Sequence, residues 1–75
     1  MSSETASPAL RISINGDPHS VPGGMTVAGL LSELGMAERR IAVARNGEVV
    51  PKSSFDKAGI DAGDRIEILE AVGGG

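Results

Sequence analysis

The sequence predicts an α+β fold in which a mixed sheet of ββαββ order packs one main helix against one of its faces. Several short segments alternate apolar and polar residues, which is the period of a half-buried strand. One segment instead repeats apolar residues with the spacing of a helix. The chain has 75 residues, of which 40% are hydrophobic, and a chain this short has room for only one core.

The first hairpin is predicted where the alternation begins. Residues 10–14 place Leu or Ile at every second position, which indicates a strand with one buried face. Asn15-Gly16 follows, and this pair tolerates the positive φ values of a type I′ turn. The chain should therefore return through residues 19–21. Pro18 has no N–H to donate, which predicts that this second strand lies at a sheet edge.

The main helix is predicted to begin after Thr26, whose hydroxyl can cap the free N–H groups of the first turn. Gly35 follows the last apolar position and favours the left-handed conformation that ends a helix. Because Gly29 costs about 1 kcal/mol of helix stability relative to Ala, we expect burial of an apolar stripe to hold this helix. The stripe consists of Val27, Leu30, Leu31 and Leu34.

The second hairpin is predicted by a strand signal, a turn and a short apolar run. Residues 41–44 are all apolar and form the first strand of this hairpin. Asn46-Gly47 supplies another tight turn, and residues 49–51 return alongside residues 41–44. The hairpin therefore follows the main helix directly.

A short helical turn and one more strand complete the predicted domain. Ser53 or Ser54 is expected to cap a helical turn over residues 55–58. Residues 65–72 then form the last strand, with its isoleucines pointing inward. Two hairpins and a helix bury one common face when the last strand lies at the sheet centre, parallel to the first. This is the arrangement of a β-grasp, or ubiquitin-like, fold.

Composition excludes several classes of function. Seven Lys or Arg against ten Asp or Glu give a net charge of −3, and Phe55 is the only aromatic residue, which argues against nucleic-acid binding. The absence of Cys excludes disulfides, thiolate catalysis and Cys-based metal sites, and one His is too few for a typical catalytic zinc. No stretch approaches the roughly 20 apolar residues of a membrane span. We therefore expect a soluble, cytoplasmic protein, whose oligomeric state composition leaves open.

The two ends of the chain differ in composition from the rest. Residues 1–9 are predicted to form a disordered leader before a domain of residues 10–72. Gly73, Gly74 and Gly75 then form a flexible tail, which can enter a slot too narrow for any Cβ atom. A carboxylate on Gly75 is ionised at neutral pH and can attack an activated phosphate. Composition alone nevertheless favours a flexible terminus or a linker remnant.

Five stretches of sequence together favour a functional role for this tail over a flexible terminus. The most specific are Val49-Val50-Pro51, within the segment AVARNGEVVP of residues 42–51, and the ending AVGGG of residues 71–75. The others are Asn15-Gly16, Thr26-Val27 leading into Leu30-Leu31, and residues 63–68. In this order and at these spacings they resemble the sulfur carrier family of thiamine biosynthesis, the ThiS family. The resemblance covers the chain from about Leu10 to its end, with departures at Arg45, Lys52 and Phe55.

The resemblance implies a carrier and co-substrate, not an enzyme, with no catalytic side chain and no cofactor or metal of its own. An E1-like adenylyltransferase of the ThiF type would adenylate the Gly75 carboxylate with ATP and Mg²⁺. A sulfur donor enzyme would supply the sulfur that replaces the adenylate. The resulting Gly75 thiocarboxylate would pass its sulfur to a thiazole synthase of the ThiG type. Gly73 and Gly74 would present the reacting group to both enzymes.

A docking surface and alternative functions stay open at this point. Leu69, if it points away from the helix with Ala42 and Ala44, would form an exposed apolar patch for partner proteins. Ordinary surface packing explains these residues about as well. The glycine ending also fits a sulfur carrier of another pathway, such as the small subunit of molybdopterin synthase. It further fits a ubiquitin-like modifier that forms isopeptide bonds with lysines, or a passive binding module.

Overall fold

In the computed structural model, which describes residues 9–70, five strands form one mixed sheet and an α-helix packs on it. The elements in chain order are β1 (Ala9–Ile14), β2 (Asp17–Pro22), α1 (Val27–Glu33), β3 (Ile41–Arg45), β4 (Glu48–Val50), a 3₁₀ turn (Lys52–Ser54) and β5 (Arg65–Glu70). The strand order is β2-β1-β5-β3-β4, with β5 parallel to β1 and antiparallel to β3. This is the predicted α+β arrangement with the last strand at the sheet centre, and its five strands make the order ββαβββ, one strand more than ββαββ.

Two Asn-Gly turns close the two hairpins as predicted. Asn15 and Gly16 have φ values of 51° and 88°, and Asn46 and Gly47 have values of 52° and 86°. Positive φ at both central positions is the requirement of a type I′ turn. Strand β2 pairs with β1 at the sheet edge, as Pro18 predicts. Strand β1 begins one residue before the predicted start, and residues 1–8 of the predicted leader lie outside the described residues.

The start of α1 is capped by the predicted residue. The Thr26 Oγ1 accepts a hydrogen bond from the Gly29 N–H at 3.1 Å. A Cβ atom on Gly29 would lie 2.8 Å from the Met25 Sδ, so the missing side chain lets Met25 lie over the first turn, where it packs against the core. The buried residues of the helix are Val27, Leu30 and Leu31.

The end of α1 is set by Gly35, whose φ of +74° confirms the predicted left-handed conformation. The Gly35 N–H donates to the Ser32 C=O at 3.1 Å, and the Met36 N–H donates to the Leu31 C=O at 2.8 Å. These are the two bonds of a Schellman motif. Leu34, the last residue of the predicted stripe, is the C-cap residue and is 37% exposed. Leu34 therefore does not join the core, because the chain leaves the helical path here.

The short helical turn begins earlier than the sequence predicts. It starts as a 3₁₀ turn over Lys52–Ser54 and continues into the predicted residues 55–58, where the Lys57 and Ala58 N–H groups donate to the Ser54 C=O at 2.9 Å and 2.8 Å. Its N-cap residue is Pro51, with a φ of −63°, and neither Ser53 nor Ser54 caps it. Pro51 itself is extended, with a ψ of 145°, and its C=O accepts the first hydrogen bond of the turn from the Ser54 N–H at 2.8 Å.

The residues predicted to form that turn also complete the cap of α1. The Ala28 N–H donates to the Phe55 C=O at 2.8 Å, and the Val27 N–H donates to the Ala58 C=O at 2.9 Å. N–H groups in the first turn of a helix have no partner within the helix. The loop therefore supplies acceptors that the helix lacks, while the Phe55 ring is buried in the core.

One apolar core lies between α1 and one face of the sheet. Its members are Ile12, Ile14, Val21, Val27, Leu30, Leu31, Val43, Phe55, Ile60, Ile66 and Ile68. The isoleucines of β5 point inward as predicted. Residues 71–72 of the predicted last strand lie outside the described residues. Within residues 9–70, no helix has both the length and the apolar character needed to pass through a membrane.

Candidate functional site

The predicted attachment site, residues 73–75, lies outside the described residues, and the structure positions the strand that leads to it. Strand β5 ends at Glu70, which lies opposite Ile41 at the start of β3. On its other side, β5 pairs with β1 as far as the Ile14 and Ile66 pair. The chain therefore leaves the sheet from a central strand whose last residues pair with β3 alone.

An apolar patch lies next to this exit, on the sheet face opposite α1. Leu69 follows the buried Ile68 and so points to the opposite face, where it is 70% exposed. Ala42 lies directly opposite Leu69, and Ala44 shares the same face of β3. Val49 of β4 lies opposite Ala44 and is 75% exposed. We call Ala42, Ala44, Val49 and Leu69 the outer patch. Leu69, Ala42 and Ala44 thus point away from the helix, which is the condition that the sequence analysis placed on a docking patch. The docking role of the outer patch stays a prediction.

Val49 belongs to the outer patch, although the sequence predicted only Leu69, Ala42 and Ala44 as members. The apolar run of residues 49–51 shows no alternation from which a face can be inferred. The signal lay in the two-residue turn Asn46-Gly47, which sets Val49 opposite Ala44 and Val50 opposite the buried Val43. Hairpin register, not local composition, assigns Val49 to the surface.

A groove with a volume of about 440 Å³ adjoins the outer patch at the end of β5. Its acidic residue, Glu70, already pairs with Arg39, with 2.8 Å between the Glu70 Oε2 and the Arg39 Nη1. Arg40 and Lys52 form no ion pair with any other residue from 9 to 70. The groove is lined by Arg40, Ile41, Ala42, Lys52, Leu69 and Glu70. It therefore offers positive charge to an acidic partner surface.

A buried carboxylate fixes the start of β5. Asp64 is 5% exposed, and its Oδ2 accepts hydrogen bonds from the Arg45 Nε at 2.6 Å and the Asp61 N–H at 2.8 Å. Its Oδ1 accepts one from the Asn46 Nδ2 at 3.0 Å. Arg45, one of the departures from the family pattern, thus compensates a buried charge. Among the described residues, no group of three or more His, Cys, Asp or Glu is arranged to hold a metal ion.

The surroundings of Asp64 lower its pKa. Burial of the carboxyl group raises the pKa, but hydrogen bonds from the Asp61 N–H, the Asn46 amide and the Arg45 guanidinium outweigh burial. The folded state therefore binds this proton less tightly than the unfolded state. The stability that results is present above the unfolded pKa of about 3.9 and is lost as the pH falls through the lower folded pKa.

We expect an acid-dependent loss of stability that depends on Asp64. The free energy of unfolding should fall more steeply below about pH 4 in the natural chain than in an Asp64→Asn variant, because the variant cannot take up this proton. Urea unfolding at several values between about pH 3 and pH 6 measures both slopes. Parallel slopes in the two proteins would contradict the assignment.

Comparison with known proteins identifies the family. The sequence model of the ThiS family matches residues 12–75, which includes most of β1, all later elements and the three glycines. The chain belongs to the ThiS family. This match confirms the resemblance found in the sequence motifs.

A solved structure of a ThiS protein has the same fold. The crystal structure of the thiamine biosynthesis protein ThiS from Geobacter metallireducens matches with a TM-score of 0.75 and 36% sequence identity, over 88% of this chain and 100% of that one. The predicted β-grasp fold is therefore confirmed. The predicted function, a sulfur carrier in thiamine biosynthesis, agrees with this family membership.

Two curated relatives of this ThiS chain are longer proteins. The thiazole synthase of Paramagnetospirillum magneticum is 44% identical over 66 residues, and that of Magnetococcus marinus is 38% identical over 66 residues. Each match covers 88% of this chain and 20% of the relative. The chain thus spans about one fifth of the length of these relatives.

Proposed function

We propose that this chain carries sulfur as a thiocarboxylate on Gly75 and contributes no catalytic side chain of its own. The observation that carries the proposal is the ThiS family match, which extends through residue 75. The fold supports it, because the tail follows a central strand held between two others. A glycine tail adds no Cβ atom and so suits a narrow active-site entrance in a partner enzyme.

The proposed loading reaction takes place in the active site of an E1-like adenylyltransferase of the ThiF type. An oxygen of the Gly75 carboxylate attacks the α-phosphorus of ATP, which the enzyme holds with Mg²⁺, and pyrophosphate leaves. The mixed anhydride makes the carbonyl carbon electrophilic. Sulfur delivered by a sulfur donor enzyme at the oxidation level of sulfide (HS⁻) then attacks that carbon, the C–O bond to AMP breaks, and AMP and the S–H proton leave. The product is the thiocarboxylate.

The proposed acceptor of the sulfur is a thiazole synthase of the ThiG type. Support comes from the two bacterial thiazole synthases, in which a region similar to this chain lies in the same polypeptide as the rest of the protein. A separate carrier would need to bind its acceptor through a surface, and the outer patch lies beside the end of β5. The proposed carrier is a monomer, like other small carriers, and acts in the cytoplasm, where the sequence predicts a soluble protein.

Reconstituted loading tests the proposed function. The chain would be incubated with ATP, Mg²⁺, a ThiF-type adenylyltransferase and a sulfur donor, and its intact mass measured. We expect the mass change of one oxygen exchanged for one sulfur, located on Gly75 by fragmentation. An unchanged mass with an enzyme that loads another ThiS protein would refute the proposal. Attachment to lysines of other proteins would instead favour a modifier.

Leu69 provides a test of the docking surface. Leu69→Ala should lower kcat/KM for loading about tenfold or more, because a central apolar side chain of an interface carries a large share of binding energy. Stability should change by less than about 0.5 kcal/mol, since the side chain is mostly exposed. Leu34→Ala, an exposed leucine at the C-cap of α1, is the matched control and should leave kcat/KM unchanged. Equal kinetics for both variants would exclude the outer patch as the docking surface.

A further inference from the structure

Strand β5 continues beyond the strand that pairs with it on one side. The last pair between β1 and β5 joins Ile14 to Ile66, whereas β5 runs on to Glu70. The Asn15 N–H still donates to the Ile66 C=O at 2.9 Å. Beyond this bond the chain turns back into β2, and no further residue of β1 reaches β5.

The Asn15 side chain continues the ladder where the backbone of β1 stops. Its Nδ2 donates to the Ile68 C=O at 3.1 Å, and its Oδ1 accepts from the Ile68 N–H at 2.8 Å. One carboxamide therefore supplies the donor and the acceptor that the next residue of a neighbouring strand would supply. These bonds join residues 53 positions apart in the sequence.

The residue type at this position meets two requirements at once. The type I′ turn needs a residue that accepts positive φ, which Gly, Asn and Asp do best. Binding both the N–H and the C=O of Ile68 needs a donor and an acceptor on one short side chain. Gly has neither, and an ionised Asp has acceptors but no donor. Asparagine alone among these three satisfies both.

The equivalent residue of the other hairpin binds a different part of β5. Asn46 has the same kind of turn, with a φ of 52° against 51° for Asn15. Its Oδ1 accepts from the Arg65 N–H at 2.9 Å, and its Nδ2 donates to the Asp64 Oδ1 at 3.0 Å. Asn46 therefore holds the start of β5, whereas Asn15 holds the segment close to its end.

We infer that Asn15 is a positioning residue for the carrier reaction, whose carboxamide fixes the end of β5 and so the direction in which residues 71–75 reach a partner's active site. The inference rests on the proposed function. Ile68 lies between β3 and Asn15, so loss of the carboxamide leaves this end of β5 held from the β3 side alone. The outer patch is unaffected, because it lies on β3, β4 and the outward face of β5. The variant should therefore still dock on its partner, whereas the direction in which residues 71–75 reach the active site should be less well defined.

Asn15→Gly and Asn46→Gly form a matched pair, because their comparison distinguishes an effect on the position of the end of β5 from a general loss of stability. Each removes one carboxamide from a type I′ turn and keeps a residue that accepts positive φ. At a temperature where both variants are fully folded, we expect the Ile68 amide hydrogen to exchange about tenfold faster in Asn15→Gly, because two hydrogen bonds are lost. In loading assays its kcat should fall about tenfold with the KM for the carrier unchanged, because misaligned reacting groups slow the chemical step. Asn46→Gly should leave the Ile68 exchange rate, kcat and KM at the natural values.

A third variant keeps the test decisive if Asn15→Gly folds poorly. Asn15→Asp retains the acceptor for the Ile68 N–H and loses the donor, so its kcat should lie between the natural chain and Asn15→Gly. Natural kcat in Asn15→Gly and Asn15→Asp, or an equal loss in Asn46→Gly, would overturn the inference. If the natural chain is not loaded at all, the proposed function fails and the positioning role with it. The Ile68 exchange rate then shows separately whether the carboxamide anchors β5.

Discussion

Removal of Gly75 is expected to abolish loading with sulfur while leaving the fold intact. The shortened chain still ends in a glycine carboxylate, but this group lies about 3.3 Å short of its position in the full tail. A displacement of about 1 Å in a reacting group can cost a factor of about 100 in rate. We therefore expect the loading rate, followed by intact mass with ATP, adenylyltransferase and sulfur donor, to fall at least that far.

Two controls accompany this truncation. The amide spectrum of residues 9–70 should be unchanged, since the core described for this chain lies within these residues. A chain with one glycine added after Gly75 should also fail to load, because its carboxylate lies one residue too far along. Loading of either altered chain at the natural rate would show that the position of Gly75 is not what the partner recognises.

Replacement of Asp64 by alanine is expected to give the largest loss of stability, about 2–4 kcal/mol. The carboxylate is buried and accepts three hydrogen bonds, one of them from the guanidinium of Arg45. A bond to a charged group contributes about 1.5–3 kcal/mol, and the Asp61 N–H and the Asn46 amide would lose their acceptor. Part of the loss is relieved because the Arg45 side chain is 32% exposed and can turn to solvent.

Asp61→Ala is the matched control for this prediction. Asp61 pairs with the same guanidinium, with 3.0 Å between its Oδ2 and the Arg45 Nη2, but its side chain is 81% exposed. Exposed ion pairs contribute at most about 1 kcal/mol. Thermal unfolding should therefore show a fall in Tm of at least about 8 °C for Asp64→Ala and a much smaller one for Asp61→Ala. Similar small shifts in both would contradict the role given to the buried carboxylate.

Much of the fold was predictable because local chemistry determines it. Asn-Gly pairs need no tertiary contact to favour a type I′ turn. The Thr26 hydroxyl caps the start of the helix, and the left-handed conformation of Gly35 ends it. The start of the helical turn was misplaced because the Pro51 C=O already accepts its first hydrogen bond, and the contact between the Phe55 C=O and the helix was not predicted. That second contact depends on the packing of a loop against α1, which no local pattern reveals.

The candidate site was predictable to a smaller extent, and for a related reason. Alternation along β5 indicates that Leu69 points away from the helix, and the hairpin register then brings Val49 into the outer patch. The carboxamide of Asn15 was singled out only as a turn residue. Its contact with Ile68 depends on a parallel pairing between the first and last strands, which is a property of the whole topology. The role of residues 73–75 stays a prediction, because they lie outside the described residues.

The mass of the tail peptide, released from this protein as isolated from its own cells, tests the central claim most directly. We predict a peptide that ends at Gly75 and occurs in two forms, one with a carboxylate and one in which a single oxygen is replaced by sulfur. The sulfur-containing form should increase when thiazole formation is blocked. A peptide that continues past Gly75, or a Gly75 carboxylate that never gains sulfur under that block, would contradict it.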